Sequence, residues 1–337
     1  MKVTIKKTLG IVLALLIVFS ISACANSAVT STEKVNLRFA SVYTEDSNYG
    51  LAIEKFKQDV EKASNGNITI DTFHGGVLGN EKDMIQAQKE GSIEIAFSAA
   101  SGIGLYVTPT LVFETWYAYK NIDQIQEAFE ALAPELDAEY QKKGFKLVGA
   151  FYDGKRNIIS KKKITKIDDL KGLKMRAPAN PLYTGMIQAL GAQAISMPFN
   201  DVYIALQTGA IQAAEGTIDT LQKQKWYEQA KYVIWDLHSW IPFSITFNLD
   251  AWNKLPEDYK DVIQKAMKDA CDYQISLFET ETDKQLADMK AKGTEVVEIT
   301  DRNKWIEAVA DFSLQFAQKE GELGMKIYNN FKAMQKE

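Results

Sequence analysis

A chain of 337 residues, 46% of them hydrophobic, is long enough for more than one ordinary core, so two lobes are expected. Its net charge of −5 argues against a nucleic-acid-binding protein, because such proteins present basic surfaces. The two histidines and two cysteines lack the spacing of a zinc site or a nucleophile triad, and the sequence has no Walker loop and no Gly-x-Ser-x-Gly elbow. We therefore expect no metal and no cofactor.

Residues 1–23 have the pattern of a signal peptide. Three lysines precede an apolar run at 9–19 that is short for a bilayer span, and small residues stand before Cys24 as in a lipobox. We predict that Cys24 is lipidated and that 24–34 form a tether, so that the protein touches a membrane only through its anchor, in the periplasm or at the cell surface. A retained membrane helix is the alternative. Loss of the lysines lowers the net charge by three, and Cys271 remains as a buried, inert thiol.

The region up to residue 97 alternates strand and helix. Strands are predicted at 35–40, 68–73 and 93–97, with one helix that ends at Asn65 and Gly66 and another that Asn80 caps. This β-α-β-α-β order predicts parallel strands with right-handed crossovers. Residues 108–143 are helical and aromatic, and their rings either pack in the core or line a pocket. A strand at 146–151 then leaves the first lobe, and 152–156 are predicted to form a turn.

A second series of strands and helices surrounds Arg176. Leu173 to Arg176 is a short strand that ends before Pro178, which disfavours helix at its preceding residue. A helix follows to Gly191, and Asn200 is predicted to cap the next helix, which ends at Gly209. Because ligands lie at the carboxyl ends of strands in open α/β sheets, Arg176 is placed where a ligand would bind. Its planar guanidinium suits a carboxylate.

The C-terminal third returns the chain to the first lobe and then becomes helical. Residues 233–248 are rich in β-formers, and Pro256 begins a helical pattern that Gly293 stops. Unbroken, this helix would be about 50 Å long, which exceeds one lobe. The tail after it is also helical and is expected to pack on the second lobe.

Several sequence blocks carry a family resemblance. They are 75–81 (Gly-Gly-Val-Leu-Gly-Asn-Glu), 169–176 (Asp-Leu-Lys-Gly-Leu-Lys-Met-Arg), 197–209 (from Met-Pro-Phe-Asn-Asp-Val-Tyr to Gln-Thr-Gly), and Tyr-Glu at 227–228 before Ala-Lys-Tyr at 230–232. In this order and spacing the chain resembles the DctP-like extracytoplasmic solute-binding proteins of TRAP (tripartite ATP-independent periplasmic) transporters, over nearly all residues after the leader.

The resemblance implies an α/β fold with two lobes, a ligand cleft between them and a long helix that bridges both. On this basis lobe I is expected to comprise 35–153 plus 242–281, and lobe II 154–241 plus 282–337.

Two arginines and an aromatic residue stand where the family contacts its ligand. In that family the arginine at the position of Arg176 fixes the substrate carboxylate by a paired salt bridge. Arg156 matches a second arginine in a Gly-x-Arg turn, and either contacts the ligand or braces the turn. Phe199 matches an aromatic wall, with core packing as the alternative.

One family block departs from the usual pattern. Many relatives have Gln-Glu-Asn where this chain has Ala-Glu-Gly, so Glu215 is kept but Gly216 has no side-chain donor, and either its backbone N–H takes the asparagine's role or the ligand fills the space. Glu81 is a candidate hydroxyl acceptor, although the helix dipole already explains an acid in a first turn. Tyr43 and Tyr152 complete the predicted ligand-binding set.

The function implied is capture of a small organic acid and its delivery to the TRAP membrane permease by closure of the two lobes, without catalysis and as a monomer. Two alternatives are an extracytoplasmic lyase of acidic sugars that uses Tyr and Arg, and a ligand sensor for a membrane kinase. The sequence leaves open whether the acid is a dicarboxylate, a sugar acid, or a keto or hydroxy acid.

Overall fold

A computed structural model describes residues 31–99 and 102–335 of the chain. The predicted signal peptide and Cys24 lie outside these described residues. Within them, no helix combines the length and apolar character needed to cross a membrane.

The first strands and helices have the predicted order. They are β1 (Val35–Ala40), α1 (Asn48–Ala63), β2 (Ile68–Phe73), α2 (Glu81–Lys89) and β3 (Ile95–Ser98). β1 lies between β2 and β3 and is parallel to both. As predicted, Asn80 caps α2, because its side chain accepts hydrogen bonds from the N–H groups of Lys82 and Asp83 while Asp83 accepts one from the N–H of Asn80.

After β3 the chain is helical and then strongly extended. Short 3₁₀ helices span Ile103–Leu105 and Thr108–Glu114, and they are followed by α3 (Ile122–Gln141) and β4 (Phe145–Ser160). The turn predicted at 152–156 is wrong. β4 continues through these residues, and its register shifts between Asp153 and Arg156 while Lys155 has φ +48. A β-bulge of this kind bends a strand without ending it.

The second series repeats the strand order of the first. It comprises β5 (Lys174–Ala177), α4 (Pro181–Ala189), β6 (Gln193–Ser196), α5 (Val202–Thr208), β7 (Ala213–Gly216) and α6 (Ile218–Lys223). β5 lies between β6 and β7 and is parallel to both. The capping role predicted for Asn200 is wrong, because a 3₁₀ turn at Phe199–Asp201 precedes α5 and Asp201 is its N-cap. The Asn200 amide instead packs against Gly76, where a Cβ would overlap it.

The chain then crosses back and ends in helices. The remaining elements are β8 (Tyr232–Asn248), α7 (Leu249–Lys254), α8 (Glu257–Ala291), β9 (Glu295–Glu298), α9 (Arg302–Lys319) and α10 (Gly321–Met334). α9 packs on α4, as expected for the tail, whereas α10 packs on α9, on residues 108–114 and on α3.

One sheet runs through both lobes, in the order β2-β1-β3-β8-β4-β7-β5-β6, with β9 beside β8. Its two central strands, β4 and β8, are antiparallel and long enough to belong to both lobes. The lobe boundaries predicted at 153/154, 241/242 and 281/282 fall inside β4, β8 and α8, so continuous elements cross each of them.

α8 links the cores of the two lobes. Its first half, from Tyr259 to Cys271, packs with β1–β3 and α1, and Met289 near its end packs with α5, α6 and β7. The predicted two-lobe α/β fold with a bridging helix is confirmed. Cys271 is buried, and burial raises the pKa of its thiol to about 12, so it is neutral.

Candidate functional site

The loops that follow the parallel strands of the two lobes meet at the cleft. Tyr43 follows β1, and Phe199 follows β6 in the other lobe. Their rings are in contact, with centroids 4.9 Å apart. The cleft is closed in this structure, because Arg156 and Arg176 are only 6% and 4% exposed.

Arg176 lies near the end of β5, where the sequence placed it. Its Nε donates to the Met197 carbonyl at 3.4 Å, and its Nη1 is 3.9 Å from Glu215 Oε1, beyond hydrogen-bond distance. Burial lowers the pKa of Arg176, and the carboxylates of Glu215 and Glu81 offset this effect only in part. Within the described chain, Arg176 is therefore a buried cation whose charge is incompletely matched.

Arg156, on the bulge of β4, contacts two carboxylates at hydrogen-bond distance. Its Nε and Nη2 lie 2.7 and 2.6 Å from Glu215 Oε2, and its Nη1 lies 2.5 Å from Asp153 Oδ2. Burial by itself would lower its pKa, but Glu215 and Asp153 outweigh burial and hold the pKa well above its ordinary value. Of the two roles left open by the sequence, this geometry favours bracing.

His238 belongs to the same cluster, and sequence reasoning missed it. Its Nδ1 lies 2.8 Å from Asp236 Oδ2, its Nε2 lies 3.4 Å from Glu215 Oε2, and the tilted Trp116 ring lies with its centroid 4.3 Å from that of the imidazole. Burial lowers the pKa of His238, but the two carboxylates more than compensate and raise it. The sequence did contain a signal for this pair. Asp236 and His238 are two residues apart on a predicted strand, and residues at that spacing share one face.

Glu215 connects the two arginines and the histidine. Burial alone would raise its pKa, but Arg156, His238 and Arg176 hold it at about 2, so the carboxylate is ionised at neutral pH. Oε2 takes the bonds from Arg156 and His238, whereas Oε1 has no hydrogen-bond donor among the described residues.

The other predicted ligand contacts lie at varied positions. The Phe199 ring lies between Tyr43 and Trp226, so it forms part of the cleft wall as well as of the core. Gly216 is buried against Thr220, and a Cβ there would lie 3.1 Å from Thr220 Cγ2. The smallest residue fits this position because the helix after β7 approaches so closely.

Glu81 and Tyr152 are the two remaining predicted contacts. Glu81 accepts a hydrogen bond from the Ala99 N–H at 3.1 Å, and its charge acts on Arg176. The Tyr152 ring packs edge-on against Phe129, on the face of β4 towards α3 and α8. Since neighbouring residues of a strand point to opposite faces, Asp153 joins the arginine cluster and the Tyr152 side chain does not.

The histidines and acids of the described ranges form no cluster of three or more that would hold a metal ion. His74 pairs with Glu54 at 2.9 Å, far along the chain from His238. The site places two guanidinium groups around the ionised Glu215 carboxylate, an arrangement suited to recognition by charge and hydrogen bonds.

Two α/β lobes that enclose buried charged side chains are the architecture of proteins that bind a small ligand in an interlobe cleft. The sequence profile of the family described as "Bacterial extracellular solute-binding protein, family 7" (DctP) matches residues 39–320. The chain belongs to this family, which confirms the resemblance and the prediction that the protein is a TRAP-type solute-binding protein acting outside the cytoplasm.

Individual relatives agree with this assignment. The chain is 27% identical to the C4-dicarboxylate-binding periplasmic protein DctP of Rhodobacter capsulatus over 88% of this chain and 91% of that protein. The sugar acid binding protein DctPAm of Advenella mimigardefordensis, solved with galactonate, superposes with a TM-score of 0.86 at 27% identity and covers 90% of this chain and 99% of that chain.

A TRAP periplasmic solute-binding protein from Bradyrhizobium, solved with galacturonate, has a TM-score of 0.82 at 26% identity, and covers 87% of this chain and 99% of that chain. All three relatives are described as binding proteins, and none as an enzyme.

Proposed function

We propose that this protein captures a small hydroxylated or dicarboxylic organic acid by pairing its carboxylate with Arg176, and delivers it to a TRAP membrane permease without altering it chemically. The single observation that carries the proposal is the contrast between the two buried arginines. Arg156 contacts Asp153 and Glu215 at 2.5 and 2.6 Å, whereas among the described residues the nearest carboxylate oxygen to Arg176 Nη1 is 3.9 Å away. A ligand carboxylate would supply the missing acceptors.

The relatives narrow the choice of ligand. Those compared above were described or solved with C4-dicarboxylate, galactonate and galacturonate, all of which carry a carboxylate. Of the predicted ligand-binding residues, we propose that six contact the ligand in the cleft: Arg176, Glu215, Gly216, Phe199, Tyr43 and Glu81. Arg156 is proposed to orient Glu215. The hinge is proposed to lie where β4, β8 and α8 cross residues 153/154, 241/242 and 281/282.

Calorimetry tests the proposal directly. The purified protein, refolded from denaturant to remove bound ligand, is titrated with galactonate, galacturonate, glucuronate and succinate. We expect one-to-one binding of at least one acid, and an NMR spectrum of that acid that is unchanged after prolonged incubation. Failure of every acid to bind, or conversion of one into a product, would contradict the proposal.

The anchor is proposed separately. If Cys24 is lipidated, Cys24→Ala should release the mature protein from the membrane fraction or leave an unprocessed precursor. Cell fractionation with a precursor-specific immunoblot checks this, and Cys271→Ala is the matched control because that thiol is buried. A processed Cys24→Ala protein that stays on the membrane like the wild type would disprove the lipobox assignment.

A further inference from the structure

The two oxygens of the Glu215 carboxylate have different surroundings. Oε2 lies within hydrogen-bond distance of Arg156 and His238. Oε1 has no donor within residues 31–99 and 102–335, although the side chain is 0% exposed. A buried anionic oxygen without a donor is unfavourable, so a group that donates to it is expected when the site is occupied.

The position of Oε1 relative to Arg176 suggests what that group is. The distance of 3.9 Å to Arg176 Nη1 is too long for a direct hydrogen bond. By distance, a single hydroxyl oxygen can bridge the two atoms, since it can accept from Nη1 and donate to Oε1 with both bonds about 2.8 Å long. An acid whose carboxylate pairs with Arg176 brings such a hydroxyl to this place when the carbon next to the carboxylate carries it.

We infer that Glu215 Oε1 accepts a hydrogen bond from the 2-hydroxyl of the bound acid, and that this protein therefore selects 2-hydroxy acids. The inference rests on the proposed function, because it assumes that Arg176 holds the carboxylate. It makes Glu215 a residue that determines specificity and also pairs with Arg156.

The protonation state of Glu215 explains why hydroxy acids are preferred to oxo and deoxy acids. With a pKa of about 2 the carboxylate is ionised at neutral pH, so it accepts hydrogen bonds and cannot donate one. A 2-oxo acid presents only lone pairs towards Oε1, and a 2-deoxy acid leaves that oxygen without a donor. Both are discriminated against for the same electrostatic reason.

The same rule separates two groups of sugar acids. An aldonate such as galactonate has a free hydroxyl beside its carboxylate. A pyranose uronate such as galacturonate has the ring ether oxygen there, which accepts hydrogen bonds but has no proton to donate. We therefore expect aldonates to bind more tightly than the corresponding uronates.

The charges of the cluster are compatible with this arrangement. A ligand carboxylate on Arg176 adds an anion close to Glu215, which would be repulsive if Glu215 were unpaired. Arg156 already neutralises Glu215 through two short contacts. The ligand carboxylate then pairs with Arg176, Glu215 stays paired with Arg156, and the hydroxyl links the two pairs.

The test compares matched acids on the wild-type protein by calorimetry. The long series is galactonate, 2-deoxygalactonate, 2-oxogalactonate and galacturonate, and the short series is lactate, propionate and pyruvate. In whichever series binds, we expect the 2-hydroxy acid to bind about ten- to a hundredfold more tightly than the oxo and deoxy members, as for a hydrogen bond to a charged group. Affinities within threefold of one another would overturn the inference.

Two variants assign the effect to Glu215. Glu215→Gln should bring the hydroxy-to-oxo ratio to within about threefold, because the amide can donate to an oxo group. Glu81→Gln changes the other acid near Arg176 and tests whether that acid makes the selection instead. A ratio that collapses in Glu81→Gln and persists in Glu215→Gln would place the selection at Glu81 and refute the inference. If Glu215→Gln does not fold, the wild-type ratio decides alone.

Failure of the proposed function has a different signature. If Arg176→Ala binds the same acids as well as the wild type does, the carboxylate is held elsewhere and both ideas fall. If Arg176→Ala abolishes binding while the wild type does not distinguish hydroxy from oxo and deoxy acids, only the inference about Glu215 is wrong.

Discussion

Arg156 and Arg176 are buried to a similar degree, but the protein balances their charges differently. Arg156 contacts Asp153 and Glu215 at hydrogen-bond distance, and its pKa is raised well above its ordinary value. Arg176 has only long contacts, and its pKa is lowered. A ligand can pair with the arginine whose contacts among the described residues are long, so Arg156 is expected to support stability and Arg176 to support binding.

Arg176→Ala should weaken binding of the cognate acid by roughly thirtyfold to several thousandfold. Truncating one partner of a desolvated charge pair costs about 2–5 kcal/mol, and each 1.4 kcal/mol is about tenfold in affinity. Arg176→Lys should recover only part of the loss, because an ammonium keeps the charge without the planar fork. Calorimetry measures both, and binding by Arg176→Ala within about threefold of the wild type would mean that the carboxylate sits elsewhere.

Arg156→Ala is the matched comparison. Removing it leaves Asp153 and Glu215 buried without their cation, which costs about 3–5 kcal/mol in buried pairs. We expect urea unfolding to show a loss of that size for Arg156→Ala, and a much smaller loss for Arg176→Ala.

Among the helices, α6 carries an acid into a buried position. Asp219 lies in its first turn, is 3% exposed, and accepts a hydrogen bond from Gln285 of α8 at 2.7 Å. Burial raises the pKa of Asp219 to about 6, and the bond from Gln285 and the charge of Lys223 offset burial only in part. The ionised form of Asp219 is therefore unfavourable in this buried position between α6 and α8.

The sign of the pH dependence follows from this shift. Between about pH 4 and 6 the folded protein keeps the Asp219 proton and the unfolded chain releases it, so this group's contribution to stability falls as pH rises. In Asp219→Asn no carboxyl titrates at this position, because an amide does not ionise. We expect the difference in unfolding free energy between wild type and Asp219→Asn to move by up to about 3 kcal/mol over this window, to the detriment of the wild type at high pH.

Urea unfolding of both proteins at pH 4, 5, 6 and 7 measures this difference. Asp46→Asn is a suitable control, because Asp46 is largely exposed, its ion pair with Lys223 lies at the surface, and its pKa is lowered rather than raised. A pH-independent difference for Asp219→Asn would show that its carboxyl titrates normally.

At the scale of the whole molecule, the lobes are in contact across the mouth of the cleft. The contacts are the Tyr43 ring on Phe199, the ion pair of Asp46 with Lys223 at 2.9 Å, and the Asn200 amide on Gly76. Away from the cleft mouth the lobes also share a continuous core, in which the 3₁₀ helix at Thr108–Glu114 and α3 pack with α9 and α10. Because β4, β8 and α8 pass between the lobes unbroken, closure is expected to occur by bending of these three elements.

Ligand should therefore compact the protein. We expect small-angle scattering to give a smaller radius of gyration with saturating acid than after refolding without it, since the bound carboxylate holds the lobes against each other. Arg176→Ala at the same acid concentration should not compact. Identical dimensions of the wild type in both conditions would count against ligand-driven closure.

The sequence by itself determined the elements and the central arginine. Hydrophobic periodicity, capping residues and glycines located β1, β2, α2, β5, α4 and α8 to within a residue or two, because these signals act between near neighbours in the chain. The family blocks placed Arg176 at a cleft. Where local signals misled, at Asn200 and at residues 152–156, a contact with Gly76 and the pairing of β4 with β8 decided the outcome.

Only the tertiary structure decided which side chains of the site pair with one another. Asp153, Arg156, Glu215 and His238 come from three strands that are distant in sequence, and their pairing depends on the register of β4 against β7 and β8. The bulge in β4 sends Arg156 to two carboxylates and leaves Arg176 with long contacts. No local pattern in the chain encodes that division of roles, because it arises from which side chains meet after the strands have paired.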